Sequence, residues 1–384
     1  MQTLADLMNS PQGQQWLASK SVFTSQQQFR ENLKVPAQSE LAVRLGVNGK
    51  KLICSGQQLY IDYRQSVLSK ILILQEFEDD PGLFPFFLWV DTDRSGSDSL
   101  ITKFAWPAHR KKGPIRITPS GIKDIESRFV QLDAVQLRSA IDTLGTHLRQ
   151  SNVIRKSAKS KYQEFRTFFD HESSLILSGF NHQVTYFLLD KHLGYSPNSM
   201  ILSDTLNRGF IIEEVNFMVN QLDEVIKVFN KSIQSMRELG IDPQVDFRNQ
   251  DYFPLFYSCN VDDQRLRLYH VVEAGGHAAV GTCRCGERYR FNLGQTTLSI
   301  EEIAETQRWS PDVLMPAFFN DFVSGYVAGK SSALYLLIIN DVLQQVLGKT
   351  PVPILVPESL GRSKAMPDQV DSLLYGYFNN ETHQ

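Results

Sequence analysis

The sequence predicts an α/β fold in which both ends of the chain build one mostly parallel sheet, with a helical and a small β-rich insertion between them. Three observations carry this. Residues 51–98 read as strand, polar turn, amphipathic helix and buried strand; residues 322–356 repeat that order; and the period of the intervening chain turns helical, then strand-like.

The first ~45 residues are polar and rich in Gln and Ser, with short helical patterns at Leu4–Met8 and Gln27–Leu33. Leu52–Ser55 is an apolar run that Gly56 closes, and Val67, Leu68, Ile71 and Leu74 put one apolar face on a helix over 63–76. Phe84–Val90 is almost continuously apolar, as expected of a parallel strand buried on both faces. From Ile122 to Leu239 the pattern is helical. Its clearest part predicts one helix over 212–239, where Val215, Met218, Val219, Leu222, Val225, Ile226, Phe229 and Ile233 form a stripe stopped by Gly240. Between Gln244 and Leu293 the alternation of Leu266, Leu268, His270 and Val272 reads as strand. Phe322–Val327, Ser331–Leu347 and Pro353–Val356 then read as strand, helix and strand. The expected organisation is an N-terminal helical segment (1–44), the first half of the core (45–121), a helical insertion (122–243), a β-rich subdomain (244–304), and the second half of the core with a tail (305–384).

At 384 residues the chain can bury a large core. A net charge of -3 argues against strong nucleic-acid binding or a polybasic membrane anchor. No apolar run approaches the roughly 20 residues of a spanning helix, and the N-terminus lacks a basic region followed by an apolar core. Four cysteines make no disulfide framework in a chain of this length. A cytoplasmic protein with small-molecule substrates, no nucleic-acid or membrane partner, and a second copy of itself as the oligomeric option is the expectation.

Open α/β sheets take ligands at the edge where their strands end. Gly56 suits a sharp turn there, and Gln57 and Gln58 offer amide donors to a phosphate or carboxylate at a helix entrance, or are merely solvated. Asp91, Asp93 and Asp98 come after the second strand. Asp91 is read as substrate-binding and Asp93 and Asp98 as general base or hydroxyl anchor, against the plain reading of strand terminators. Gly329-Lys330-Ser331-Ser332 fails the G-x-x-x-x-G-K-[ST] phosphate-loop spacing, because Gly325 and Gly329 enclose three residues. Lys330 and Ser331 remain as anion ligands at a helix start, with a plain serine N-cap as the rival. Arg362 and Lys364, after the last strand, could neutralise phosphates or form an ordinary basic loop.

Cys283-Arg284-Cys285-Gly286 is a tight thiol pair, with Cys259 upstream and His270 and His277 between. A structural zinc takes four protein ligands in a tetrahedron. The expected set is Cys259, Cys283, Cys285 and His277, with His270 as the other choice; Gly275 and Gly276 give His277 freedom to turn toward the thiols. Buried, unreactive thiols are the rival reading. Cys54, inside the first strand, reads as core.

Several segments, in order, resemble the bacillithiol-biosynthesis cysteine-adding enzyme family. Ser55–Gln58 is similar to its TGQQ segment, with Lys70 near a lysine of the next helix, and Pro85–Asp93 is similar to its strand ending in acidic residues. Asp246–Arg267, with Arg265, resembles a β segment. Trp309–Glu358 resembles the SPNV…QD…AYVGG stretch, and Tyr335 and the VPILVPES run continue the likeness. The likeness covers about two thirds of the chain, by the extent of the matching segments. It implies a Rossmann-like core related to nucleotidyltransferases, and a ligase-like activity joining an amino acid, cysteine or similar, to a small polar acceptor such as an amino sugar. This chain has Arg94-Ser95-Gly96 where the family has an acidic-His-acidic cluster, and Pro316 and Asn320 where it has an arginine and a glutamine. Two alternatives therefore stand. One is a nucleotidyltransferase using Arg362 and Lys364 on a bound nucleotide. The other is a non-catalytic interaction protein with a decayed site.

Overall fold

The computed structural model describes residues 4–35, 47, 49–93, 99–101, 115–118, 124–150, 157–172, 175–273, 276–293, 306–312, 316, 319, 321–357 and 373–379. Its strands are β1 (Val22–Phe23), β2 (Lys51–Gln58), β3 (Leu83–Val90), β4 (Ser99–Ile101), β5 (Ile115–Arg116), β6 (Ser199–Ile201), β7 (Tyr252–Ser258), β8 (Arg265–Glu273), β9 (Gly276–Thr282), β10 (Arg288–Asn292), β11 (Trp309–Pro311), β12 (Gly325–Val327) and β13 (Ile354–Leu355). Contacts divide the chain into two units: Met1–Gly56 with Ile73–Leu88 and Asn198–Ser359, and Gln57–Leu72 with Trp89–Pro197 and Leu360–Gln384.

A six-stranded parallel sheet in the order β1-β13-β12-β2-β3-β6 forms the Rossmann-like core. β12 lies between β2 and β13, pairing Tyr326 with Cys54 on one side and with Ile354 on the other, so both ends of the chain do share one sheet. Cys54 is buried, as core. The N-terminal segment contributes edge strand β1 as well as helices; two residues, Val22 and Phe23, are too few to show an alternation in sequence.

Gly56 departs from its expected role. β2 runs on through Gln58, and Gly56 is a strand residue rather than the turn. A Cβ there would lie 2.9 Å from the Leu88 carbonyl oxygen, so the glycine permits close approach of backbone to backbone. The next helix is Gln65–Glu78. The single helix expected over 212–239 is two, Ile212–Asn220 and Leu222–Glu238, divided at Gln221. Every position of the apolar stripe is nevertheless buried, and no Gly or Pro marks the break; tertiary packing sets it. Ser232 of the second helix donates to Asp341 of the helix Lys330–Gln345 at 2.8 Å, tying the two together.

The β-rich segment is an antiparallel sheet, β10-β9-β8-β7-β11. One face buries Leu266 and Leu268 and gathers the rings of Tyr257, Tyr289, Phe291 and Trp309, with centroids 4.5–5.2 Å apart for Tyr257 against each of the others and for Phe291 against Trp309. Val272, at the end of the alternation, is exposed.

The second unit is helical: Ala134–Gln150, Ser157–Glu172, Leu177–Leu193 and Leu373–Asn379. Phe165 is its aromatic hub, touching the rings of Phe169, Phe187, Tyr377 and Phe378. Among the described residues no helix is long and apolar enough to cross a membrane.

Candidate functional site

Two groups of chemistry-bearing residues stand out, one in each unit. In the helical unit the chain leaving β2 is held tightly. Asn181 Nδ2 donates to the Leu59 carbonyl at 3.1 Å and Thr185 Oγ1 to that of Tyr60 at 2.9 Å. The Tyr63 hydroxyl accepts the Tyr60 N–H at 2.7 Å and donates back to its carbonyl at 2.9 Å. Burial raises the Tyr63 phenol far above its ordinary range, so it stays a neutral donor.

This clamp presents Gln57 and Gln58 at the end of β2. Gln57 Nε2 donates to Gln58 Oε1 at 2.6 Å, and Lys70 Nζ donates to Gln57 Oε1 at 3.3 Å. Lys70 is only 3% exposed, although it comes from an amphipathic helix whose cations would ordinarily face water. Asp91 and Thr92 are also buried, and Asp93 is half-buried. The short 3-10 turn Ser127–Phe129 holds them: Ser127 Oγ donates to the Asp91 carbonyl at 2.7 Å and Ser127 N–H to that of Asp93 at 3.2 Å. Glu126, before that turn, is fully buried and ion-paired to Arg128 at 2.7 Å. Sequence reading missed Glu126, Ser127 and Arg128, which lie too far along the chain from Asp93 for local pattern to join them. Lys70 entered only through the family resemblance.

Lys330 and Ser331 belong to the other unit and are exposed. The cap of their helix is Gly329 rather than a serine, so Ser331 is its second residue. Asp98, Arg362 and Lys364 lie outside the described residues.

The second group sits where two hairpin turns of the antiparallel sheet meet. Cys259 and Asp262 belong to the turn between β7 and β8, and Cys283 and Cys285 to that between β9 and β10. Donor atoms of all four lie within 4.8 Å of one another. Cys259 Sγ is 3.6 Å from Cys285 Sγ, and Cys283 Sγ is 3.3 and 3.5 Å from the two Asp262 oxygens. A tetrahedral zinc with Zn–S near 2.3 Å and Zn–O near 2.0 Å needs edges of about 3.8 and 3.5 Å. The group fits.

The turns are built for these positions. Asp263 adopts φ 58° and returns its N–H to the Cys259 carbonyl at 3.0 Å, while Val261 N–H points at Cys259 Sγ from 3.4 Å. Gly286, at φ 100°, closes the second turn with its N–H on the Cys283 carbonyl at 3.0 Å, a conformation that suits glycine. The Tyr289 hydroxyl donates to Cys259 Sγ at 3.2 Å. Burial pushes the Cys259 thiol up, but the bonds from Tyr289 and Val261 outweigh it and leave the thiol below its ordinary range. Burial pushes Cys283 up to about 12. Arg308 pairs with Asp263 and donates to the Cys259 carbonyl at 3.1 Å, bracing the first turn.

His277 is not part of this group, a correction to the expected ligand set. It is the second residue of β9, and the six residues to Cys283 run along the strand, a separation of about 20 Å. Instead its Nδ1 meets His270 Nε2 at 2.8 Å with the rings parallel. Gly276 opens β9 opposite Glu273, so it is a strand residue and does not return the histidine to the thiols. The fourth donor is the carboxylate of Asp262. A C-x₂-D spacing from Cys259 was visible in the sequence, but a search confined to Cys and His passes over it.

In comparisons with known proteins, no family model matches the chain, and none of the curated proteins does.

Proposed function

We propose that the chain is a cytoplasmic ligase-like enzyme that joins an amino acid, cysteine or similar, to a small polar acceptor such as an amino sugar. The observation that supports this reading is buried Lys70, hydrogen-bonded to the Gln57–Gln58 amide pair where a parallel strand ends. An ammonium backed by amide groups suits a carboxylate, and the edge of a parallel sheet is the usual place for a ligand. Asp91 and Asp93 offer the complementary charge for a substrate ammonium or hydroxyl. A ligand screen by thermal unfolding tests the reading, since a native-state ligand at 100 times its dissociation constant adds about 2.7 kcal/mol. Cysteine, amino sugars and nucleotides are the arms. An amino acid should raise the melting temperature of the native chain and not of Lys70→Met. Unchanged melting with every compound rejects it.

In the same reading the cluster Cys259, Asp262, Cys283 and Cys285 holds one structural zinc ion. Protein donors fill all four positions, so the metal would fasten two turns and take no part in chemistry. The aromatic core beneath is small, and a metal is a common support for such a sheet.

A further inference from the structure

The net charge of -3 is a sum over the whole chain, and the antiparallel sheet separates charge by face. On β8, Leu266 and Leu268 point into the core, which leaves Arg267 and Tyr269 on the opposite face, both exposed. The register carries that face across the sheet. Tyr269 pairs with Val280 and Val280 with Arg290, while Thr282 pairs with Arg288 one step nearer the cysteine turns. Arg288 and Arg290 are exposed, as are Thr282 and Asn292. Neither of these two rows contains an acidic residue.

Geometry adds to the charge. Arg288 and Arg290 are two residues apart on one strand, about 6.8 Å, and β8 lies about 9.6 Å away across β9. Tyr269, 43% exposed, stands two residues from Arg267 and in the same row as Arg290. A sheet face with guanidinium groups spread around a partly exposed aromatic ring combines phosphate neutralisation with a stacking surface. Acidic peptides would use the arginines and have no need of the ring.

We propose that this face of β8, β9 and β10 binds single-stranded nucleic acid, with Arg267, Arg288 and Arg290 on phosphates and Tyr269 stacked on a base. None of these four residues is assigned to the ligase reading, and the proposal stands without it. Double-stranded nucleic acid offers no unstacked base to Tyr269 and should bind more weakly.

Fluorescence anisotropy of the full-length, metal-replete chain with labelled 20-mers of deoxythymidylate and uridylate tests this. Binding should weaken with salt at a slope of about -2 in log K against log salt, from three phosphate contacts on a single strand. The triple variant Arg267→Gln, Arg288→Gln, Arg290→Gln should bind at least tenfold more weakly and flatten that slope. Tyr269→Ala should lose about 5- to 150-fold, the range for one stacked base. Lys227→Gln, a solvent-exposed cation on the helix Leu222–Glu238, should change nothing. No binding at 100-micromolar protein (about the weakest end of non-specific affinity) in low salt overturns the proposal. So does binding that a polyglutamate peptide or a duplex displaces as well as the single strand does, or binding that Tyr269→Ala leaves intact.

Discussion

Replacing Glu126 by glutamine should be among the most destabilising single changes in the helical unit. The Glu126 side chain is fully buried, the Arg128 side chain is 8% exposed, and the two are 2.7 Å apart. Arg128 also lies over the Phe129 ring at 4.6 Å, so its guanidinium is enclosed and cannot readily turn to water. Removing one charge of such a pair typically costs about 3–5 kcal/mol, because the other charge stays buried. At about 2–4 °C per kcal/mol for a unit of this size, the melting temperature should fall by about 6–20 °C. Arg128→Met alone should cost a similar amount. The double variant should recover much of it, since no charge is then stranded. Urea unfolding of the four proteins yields the coupling energy directly. A loss below about 1 kcal/mol in Glu126→Gln, the range of exposed pairs, refutes the reasoning.

Gly56→Ala should destabilise by about 1–3 kcal/mol, because the new methyl meets the Leu88 carbonyl at 2.9 Å and β2 must move; denaturant midpoints check it. Burial pushes the Glu214 carboxyl up to about 7 from 4.5. The folded chain then holds more protons than the unfolded one between those values, so this group's contribution to stability falls as pH rises from about 4.5 to about 7. Glu214→Gln should flatten that part of the pH–stability curve. Asp262→Ala should release metal to a chelator at least tenfold faster than the native chain, while His277→Ala should leave the rate unchanged.

The parallel core was legible because its strands are long or continuously apolar: Leu83–Val90 announces itself, and the helix Lys330–Gln345 carries a clear apolar face. Edge strands β1 and β6, of two and three residues, carry too little pattern to be read. Of the candidate residues, the glutamines and aspartates after the first two apolar strand runs were singled out from their place beside those runs. Glu126 and Arg128 were not, because burial of an ion pair is set by tertiary contact and leaves no periodic trace. The candidate metal cluster was legible in its three cysteines, whose spacing marks two turns. The fourth position was read as His277 because a glycine pair before it suggested a returning loop, whereas His277 is a strand residue paired with Val272.

The zinc content of the protein, purified without a metal-affinity tag and measured by elemental mass spectrometry, tests the metal-fastened ribbon most directly. One equivalent per chain, lost on changing Cys259, Asp262, Cys283 or Cys285 and retained in His277→Ala, is the expected result. Less than about a tenth of an equivalent, with cysteine-to-serine changes leaving the melting temperature intact, would show that these are ordinary thiols and contradict it.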